Sequence, residues 1–200
     1  MSKIENLSNY QKFKTVFLEA NSKLNLISKN DEIYLYEKHF YDSLCIKLFF
    51  EKYNYMPQSI LDIGTGGGFP AIPIAMEYPD INVYGVDSIR KKILAVEGIS
   101  ENLNLKNLTL INERVENLEN MTFDVVTSRA VGKISKIVQY AYSLLNKGGY
   151  IVLYKSKLVN DEIDEAKNLI RKYKLKIEPI ITYDLPLNEN FTRNLVILKK

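Results

Sequence analysis

The sequence contains one cysteine, one histidine and no tryptophan in 200 residues. Cys45 has no second cysteine with which to form a disulfide inside the chain, so a disulfide framework is excluded. A single histidine leaves no set of His and Cys side chains with the spacing of a structural metal site. We therefore expect neither redox chemistry at a cysteine pair nor a bound metal.

Long hydrophobic runs are missing as well. No stretch of about 18 apolar residues occurs, which is the length that a membrane-spanning helix needs. The chain starts with MSKIENLSNYQKFK, which mixes charged and apolar side chains and lacks the apolar core of a signal peptide. These absences predict a cytoplasmic protein that is not attached to a membrane.

The chain also lacks a large excess of charge of one sign. Its net charge of +3 is mildly basic and does not by itself indicate a nucleic-acid-binding protein. Lysines and arginines gather at 88–92, 154–157 and 171–176. Each of these segments alone is typical of a solvated helix or strand end, but together they are compatible with a phosphate-rich partner.

The hydrophobic content of 46% is enough for one domain with a real core. Apolar residues recur every three or four positions in 8–26, which predicts an amphipathic helix. A second helix is predicted through 32–53, with Asn30 or Asp31 as its N-cap. We expect residues 1–56 to form an N-terminal helical cap that belongs to the same domain as a core formed by 57–200.

The core segment alternates between short apolar runs and amphipathic segments. This pattern predicts an α/β fold with a Rossmann-like doubly wound sheet that is mostly parallel. The predicted strands are 59–64, 82–87, 108–115, 123–130 and 149–155, and the predicted helices are 71–78, 90–103, 133–145 and 161–173. The last two apolar segments, 176–185 and 193–200, are predicted to form an antiparallel C-terminal edge of the sheet.

A glycine-rich loop, LDIGTGGGFPAIP at 61–73, follows the first predicted strand. In an open parallel sheet, ligands bind beyond the carboxyl ends of the strands, where this loop lies. Gly64, Gly66 and Gly68 alternate, whereas the dinucleotide fingerprint requires a glycine at the position of Phe69. The Gly-Lys-Ser/Thr of a P-loop is missing too, so NAD and a P-loop nucleotide are both disfavoured.

An acid two residues before a Gly-x-Gly-x-Gly loop is the pattern of class I S-adenosylmethionine-dependent methyltransferases. Asp62 occupies that position, from which we expect it to reach the ammonium end of the methionine moiety directly or through water. Pro70 and Pro73 fall in the first turn of the next helix, where backbone N–H groups have no intrahelical acceptor. They remove donors that a phosphate would use, which favours a sulfonium cofactor.

Later strand ends supply further candidates for the same site. We expect Asp87 to bind the ribose hydroxyls, Val115 and Glu116 to flank the adenine, and Arg129 to lie beside the methyl donor. Alternative interpretations are that Asp87 caps a helix, that Glu116 is a surface charge and that Arg129 pairs with a local carboxylate.

The sequence resembles the RsmG family, also called GidB, over most of its length. The resemblance rests on LNLIS (24–28), KHFYDSL (38–44), LDIGTGGGFPAIPIA (61–75), ERVENL (113–118), FDVVTSRAV (123–131), LYKSK (153–157) and RNLVILKK (193–200). It implies transfer of the methyl group of S-adenosylmethionine to guanine N7 in the 530 loop of small-subunit ribosomal RNA, with S-adenosylhomocysteine as product. It also implies ribosomal RNA or the 30S subunit as partner, and cofactor contacts at Gly64, Phe69, Val115, Glu116 and Arg129.

Guanine N7 carries a lone pair and no proton, so its attack on a methyl group needs alignment more than a base. The resemblance therefore implies no essential general base. Arg129, Lys155 and Arg193 are expected to position RNA or cofactor. His39 lies one helical turn from Asp42, and we expect a hydrogen-bonded pair that braces the cap over the cleft, although a purely structural role is equally compatible with the sequence.

Two other functions remain open at the level of the sequence. One is a methyltransferase that acts on a small molecule or a protein, whose binding would not fall steeply with salt as RNA binding does. The other is a non-catalytic RNA-binding assembly factor, which would bind cofactor but leave N7 unmethylated. We expect a monomer in each case.

Overall fold

The computed structural model describes residues 7–156, 159–187 and 191–200. The N-terminal part is helical: α1 spans Leu7–Leu24, a 3₁₀ helix Lys29–Tyr34, a π-helix Leu35–Tyr41, α2 Asp42–Leu44 and α3 Ile46–Tyr53. The cap and the core pack together through α1 and the helix Arg90–Leu103, and through a shared aromatic cluster.

The second predicted helix is therefore divided into several pieces, and its predicted N-cap is wrong. Ser28 caps the first piece, because its Oγ accepts a hydrogen bond from the Asp31 backbone N at 3.2 Å. The Asp31 carboxylate instead accepts from Ser28 Oγ and from Lys38 Nζ. Leu35 and Phe40 are both buried and are five residues apart, which is the spacing of a π turn rather than an α turn.

In the part of the chain that the structure describes, eight strands form one sheet. They are β1 Ser59–Ile63, β2 Asn82–Val86, β3 Leu108–Ile111, β4 Phe123–Arg129, β5 Leu145–Lys155, β6 Lys176–Ile177, β7 Ile181–Leu185 and β8 Phe191–Lys199. The order is β3-β2-β1-β4-β5-β8-β6, with β7 also paired to β8. Strands β1 to β5 are parallel, and β8 runs antiparallel to β5, β6 and β7. The predicted α/β fold with antiparallel C-terminal strands is confirmed.

Three predicted strands differ clearly in extent from the observed ones, and the first of them, predicted at 149–155, already begins at Leu145. The strand predicted at 108–115 ends at Ile111, and Val115 begins a short 3₁₀ helix, Val115–Asn117. The strand predicted at 176–185 is divided into β6 and β7 by a segment that contains Pro179, which has no backbone N–H to donate to a ladder.

Helices cover both faces of the sheet. They are α4 Ala71–Glu77, α5 Arg90–Leu103, α6 Ile134–Ser143 and α7 Val159–Lys172. Residues of α6 and α7 pack on one face, and residues of α3 and α4 pack on the other. The chain reverses its direction of winding between β1 and β4, which creates a crevice at the carboxyl ends of these strands.

Residues 7–156, 159–187 and 191–200 contain neither a candidate membrane span nor a candidate metal cluster. None of the helices there is long and apolar enough to cross a membrane. Within the same ranges, no group of three or more His, Cys, Asp or Glu side chains is arranged to hold a metal ion.

Candidate functional site

A cavity of about 640 Å³ opens at the crevice between the strand ends. Its walls come from the glycine loop, from the ends of β2 and β4, from the segment after β3 and from the cap. Eight of the residues singled out from the sequence line it: His39, Gly64, Gly66, Phe69, Asp87, Val115, Glu116 and Arg129. Asp62, Gly68, Lys155 and Arg193 do not line this cavity.

The glycine loop needs its glycines for two different reasons. Gly64 and Gly66 have φ of +68° and +57°, in the left-handed region that glycine adopts at least cost. A Cβ on Gly64 would lie 2.5 Å from Val131 Cγ2. The backbone at Gly64 and the loop after β4 are therefore too close together for a side chain at this position. A Cβ on Gly66 would meet only the Gly64 carbonyl oxygen at 3.8 Å, so this residue faces open space in the cavity wall.

Gly68 acts behind the loop. Its φ is +87°, and a Cβ there would lie 2.5 Å from Ile72 Cδ1 and 3.1 Å from Val96 Cγ1. It therefore allows α4 to pack closely against the loop and does not itself form part of the cavity wall.

Asp87 joins the glycine loop to the start of α5. Its Oδ2 accepts a hydrogen bond from Gly66 N at 3.0 Å, and its Oδ1 accepts from Ile89 N at 2.9 Å. A carboxylate has about four lone-pair positions, so two acceptor positions remain after these bonds. Asp87 is half-buried and lines the cavity, where it can accept from a diol.

Asp62 lies beneath the loop rather than in the cavity wall. Its side chain is completely buried, and Oδ1 accepts a hydrogen bond from Thr127 Oγ1 at 3.3 Å. Burial raises the pKa of Asp62 to about 8, against the opposing effects of Thr65, Arg129 and Thr127. Asp62 Oδ2 has no hydrogen-bond partner among the described residues, and neither does Oγ1 of Thr65, a residue that lines the cavity.

Phe69 connects the loop to the cap. It is 4% exposed, and its ring centroid lies 5.1 Å from that of Phe17 and 6.0 Å from that of Phe13, both on α1. The guanidinium carbon of Arg129 lies 5.1 Å from the same ring, and the His39 ring also lies 5.1 Å from it. The residue at the position of the third Rossmann glycine is therefore one of the contacts that hold the cap over the site.

A buried ionic network holds the cap to the sheet, with Asp42 at its centre. Asp42 is 1% exposed, and its carboxylate accepts from Arg129 Nη1 at 3.1 Å and from Tyr183 Oη at 2.6 Å. Arg193 donates to the same carboxylate through Nε at 3.4 Å and Nη2 at 3.3 Å. Burial and the Asp42 charge raise the pKa of Tyr183 far above its ordinary value, so it remains a hydrogen-bond donor.

His39 does not pair directly with Asp42, and Arg129 connects the two. Arg129 Nη2 lies 2.9 Å from His39 Nδ1, and Arg129 Nη1 also donates to the Lys38 carbonyl at 3.0 Å. Burial, followed by the Arg129 charge, lowers the pKa of His39 to about 4. The imidazole is therefore neutral at physiological pH.

Lys155 is engaged away from the cavity. Its Nζ lies 2.6 Å from Glu162 Oε2 and donates to the Gly132 carbonyl at 2.7 Å. It fixes the loop after β4 to α7, so its observed contacts are structural.

The segment after β3 forms the outer wall. Val115 is half-buried, whereas Glu116 is exposed. A hydrogen bond to its own backbone amide, with a further one from Tyr140, lowers the pKa of Glu116. Arg114 and Lys136 line the same wall. A flat ligand can lie against Val115 while Glu116 accepts from its edge.

Several residues of the site were not identified from the sequence. The sequence pattern indicates Asp42 only as a neighbour of His39, and it does not indicate Tyr183, because the partner of Tyr183 is 141 residues away in the chain. Ser28, Asp31, Thr65 and Tyr140 also line the cavity. Ser28 lies in LNLIS (24–28) and Asp42 in KHFYDSL (38–44), two of the segments that carry the family resemblance. The resemblance was therefore the only sequence feature that could have indicated them.

Comparison with known proteins supports the family resemblance found in the sequence. A family model described as rRNA small subunit methyltransferase G (GidB) matches residues 4–186. A Ribosomal RNA small subunit methyltransferase G of Staphylococcus carnosus (strain TM300) is 32% identical over 197 residues, covering 96% of this chain and 81% of that protein. The protein with the same description from Staphylococcus aureus (strain bovine RF122 / ET3-1) is 35% identical over 195 residues, with the same two coverages.

Solved structures are similar in fold at low sequence identity. An O-methyltransferase from Bacillus cereus in complex with SAH has a TM-score of 0.65 at 16% identity, covering 95% of this chain and 91% of that one. A SAM-dependent O-methyltransferase from Thermotoga maritima has a TM-score of 0.59 at 14% identity, covering 80% and 64%. A provisionally assigned class I methyltransferase from Listeria monocytogenes has a TM-score of 0.70 at 20% identity, covering 100% and 70%. The class I methyltransferase fold predicted from the sequence is confirmed.

Proposed function

The chain belongs to the rRNA small subunit methyltransferase G family, and from that premise we propose that it methylates N7 of a guanine in the 530 loop of small-subunit ribosomal RNA. S-adenosylmethionine supplies the electrophilic methyl group and leaves as S-adenosylhomocysteine. The observation that carries the proposal is one cavity lined by Gly64, Asp87, Val115 and Arg129, which follow or end the successive strands β1 to β4.

The cavity supports a definite orientation of the cofactor. We place the ribose at Asp87, which keeps two acceptor positions free after its bonds to Gly66 N and Ile89 N. The adenine then lies against Val115 with Glu116 at its edge, and the methionine end lies over Gly64 and Gly66 beside Arg129. Asp62 lies below the loop in this arrangement, and Gly68 lets α4 pack behind it.

The protein's own part in the reaction is alignment. Guanine N7 needs no deprotonation, and the one histidine of the chain offers no free basic nitrogen, because Nδ1 faces the Arg129 guanidinium. Arg129 is held in place by Asp42 and by the Phe69 ring. We propose that Arg129, Arg193 and Lys155 maintain the positions of the cap and loops around the reacting atoms, with no essential general base.

The outer rim supports an RNA partner. Lys92, Arg114 and Lys136 line the cavity, and none of the three has an ion pair within the part of the chain that the structure describes. Unpaired cations around a site favour phosphate groups. We propose that the partner is ribosomal RNA or the 30S subunit, bound by a monomer in the cytoplasm.

Two measurements test the proposal. Calorimetry with S-adenosylmethionine tests the cofactor, and binding is expected to weaken in Asp87→Ala but not in Asp80→Ala, which removes an exposed carboxylate outside the cavity. Transfer of labelled methyl to unmodified small subunits tests the substrate. Failure to bind the cofactor would refute the enzyme assignment, and binding without transfer to RNA would favour an assembly factor.

A further inference from the structure

The half-buried ring of His39 has one nitrogen without a hydrogen-bond partner in the described residues. An arginine N–H group is always a donor, so His39 Nδ1, at 2.9 Å from Arg129 Nη2, must accept. The ring proton of the neutral imidazole is then on Nε2. This N–H is buried and has no hydrogen-bond partner in residues 7–156, 159–187 and 191–200.

An unpartnered buried donor is uncommon, because such groups cost more to leave unpaired than a hydrogen bond returns. The His39 ring lines the cavity, between the Phe69 ring and the Arg129 guanidinium. An acceptor that enters the cavity beside Arg129 is therefore the natural partner of Nε2–H.

Given the proposed function, we infer that His39 Nε2–H donates a hydrogen bond to O6 of the target guanine and makes His39 a specificity-determining residue. The edge of guanine that carries N7 presents two acceptors, N7 and O6. N7 must remain free for the methyl group, so O6 is the only atom on that edge that a donor can read. Adenine carries an amino group at the same position, which would face Nε2–H donor to donor.

Holding His39 neutral also suits the charge that develops in the reaction. The guanine becomes positive as N7 takes the methyl group, and a charged imidazolium at O6 would oppose this change. Arg129 prevents protonation of Nδ1 by donating to it, and Asp42 compensates the Arg129 charge. A neutral donor can therefore bind O6 without repelling the product.

The other acceptor that could meet Nε2–H is the methionine carboxylate of the cofactor. Asp31 also lines the cavity and acts electrostatically on His39, and although Lys38 pairs with it at 2.8 Å, its negative charge disfavours a second carboxylate there. The guanidinium of Arg129 is a stronger partner for a carboxylate than a neutral imidazole N–H. These two neighbours favour the neutral carbonyl of the base over the cofactor.

The test compares guanine with 2-aminopurine, which keeps N7 but lacks O6, at the target position of the reconstituted small subunit. The preference is the kcat/KM for guanine divided by the kcat/KM for 2-aminopurine. This ratio should be about tenfold higher in the wild-type protein than in His39→Leu, which keeps only the intrinsic difference in reactivity between the two bases. His39→Gln, whose amide can accept from Arg129 and donate onward, should recover part of the preference. Cofactor affinity should stay within about twofold in all three proteins.

Each other result identifies what is wrong. If His39→Leu loses kcat/KM equally on both bases, His39 has only a structural role. If it loses cofactor affinity tenfold, the acceptor of Nε2–H is the cofactor. Either result overturns the inference and leaves the proposed function intact. A wild-type protein that binds cofactor and small subunits but methylates neither base would overturn the proposed function as well.

Discussion

Asp42 Oδ2 lies 3.1 Å from Arg129 Nη1, and this buried contact joins the helical cap to the end of β4. Asp42 is 1% exposed and Arg129 11%, so the pair is shielded from solvent. Its position next to the cavity means that one ion pair couples the stability of the cap to the geometry of the site.

Asp42→Asn should destabilise the fold strongly. It leaves Arg129 and Arg193 buried without a compensating charge, and removal of one partner of a buried pair costs about 3–5 kcal/mol. Tyr183→Phe removes one hydrogen bond to the same carboxylate and should cost about 1.5–3 kcal/mol. The free energy of unfolding in urea measures both, and Glu19→Gln, in an exposed pair with Lys23, should change nothing measurable. A loss no larger in Asp42→Asn than in Glu19→Gln would contradict the coupling.

Gly68→Ala and Gly98→Ala should act in opposite directions. A methyl group on Gly68 meets Ile72 Cδ1 at 2.5 Å, and φ is +87°, so a loss of about 2 kcal/mol or more is expected. Gly98 lies within α5, with no atom within 4 Å of the added Cβ, and alanine there should stabilise the protein by about 0.5–1 kcal/mol. Thermal and urea unfolding measure both signs, and a stabilised Gly68→Ala protein would show that the loop packing is misassigned.

Asp62→Asn should change how stability depends on pH. The folded pKa of Asp62 is about 8, above its ordinary 3.8, so the folded protein holds the proton more tightly than the unfolded chain. The stabilisation is present below about pH 4 and is lost as the pH rises towards 8. The variant should therefore gain stability relative to wild type between pH 4 and pH 8 in urea titrations. A difference that stays constant over this range, as expected for exposed Asp80→Asn, would be inconsistent with a protonated Asp62.

The tautomer of His39 can be observed directly, since it is the only histidine in the chain. Nitrogen NMR of the labelled ring should show a proton on Nε2 and a bare Nδ1, with no titration between pH 8 and pH 5 because the pKa is lowered to about 4. In Arg129→Ala the contact to Nδ1 is lost, and the tautomers should mix. A ring that titrates near pH 6.5 in the wild-type protein would contradict the neutral state.

The sequence predicted the sheet well for a physical reason. Strands that are buried on both faces are continuous apolar runs, as Ile60, Leu61 and Ile63 of β1 show with 2% exposure or less. The glycine spacing restricted the classes of cofactor that fit the loop, because positions with a left-handed backbone or a close approach admit few residue types. Gly64 and Gly66 have the φ values that such a loop requires. These features are local, so a short window of sequence carries them.

The rest depends on contacts between distant segments. Asp42 is separated in sequence from Arg129 by 87 residues and from Arg193 by 151. No periodic pattern in the sequence predicts pairs that are so far apart. The alternative interpretation that Arg129 pairs with a carboxylate was therefore partly right, but the carboxylate is on the cap and not local. The division of the second helix was missed because its sequence is aromatic on every face, so the pattern did not distinguish α from π spacing.

RNA binding should depend on salt through the cavity rim. If Lys92, Arg114 and Lys136 each neutralise one phosphate, replacing any of them by Gln should lower the slope of log affinity against log salt by about 0.7–0.9. Lys106→Gln is the matched control, because Lys106 precedes β3 at the opposite end of the strand from the cavity. Binding of small-subunit RNA at several salt concentrations measures the slopes. Equal slopes for all four variants would show that RNA binds to a different surface of the protein.

The central claim is methyl transfer to guanine N7 of small-subunit ribosomal RNA. It is tested most directly by incubating the purified protein with S-adenosylmethionine and unmodified small subunits, then mapping the modified base by mass spectrometry. The account predicts a single N7-methylguanosine, located in the 530 loop, and its loss in Asp87→Ala at limiting cofactor. Methyl transfer to protein or small molecules, with the ribosomal RNA left unmodified, would contradict the account.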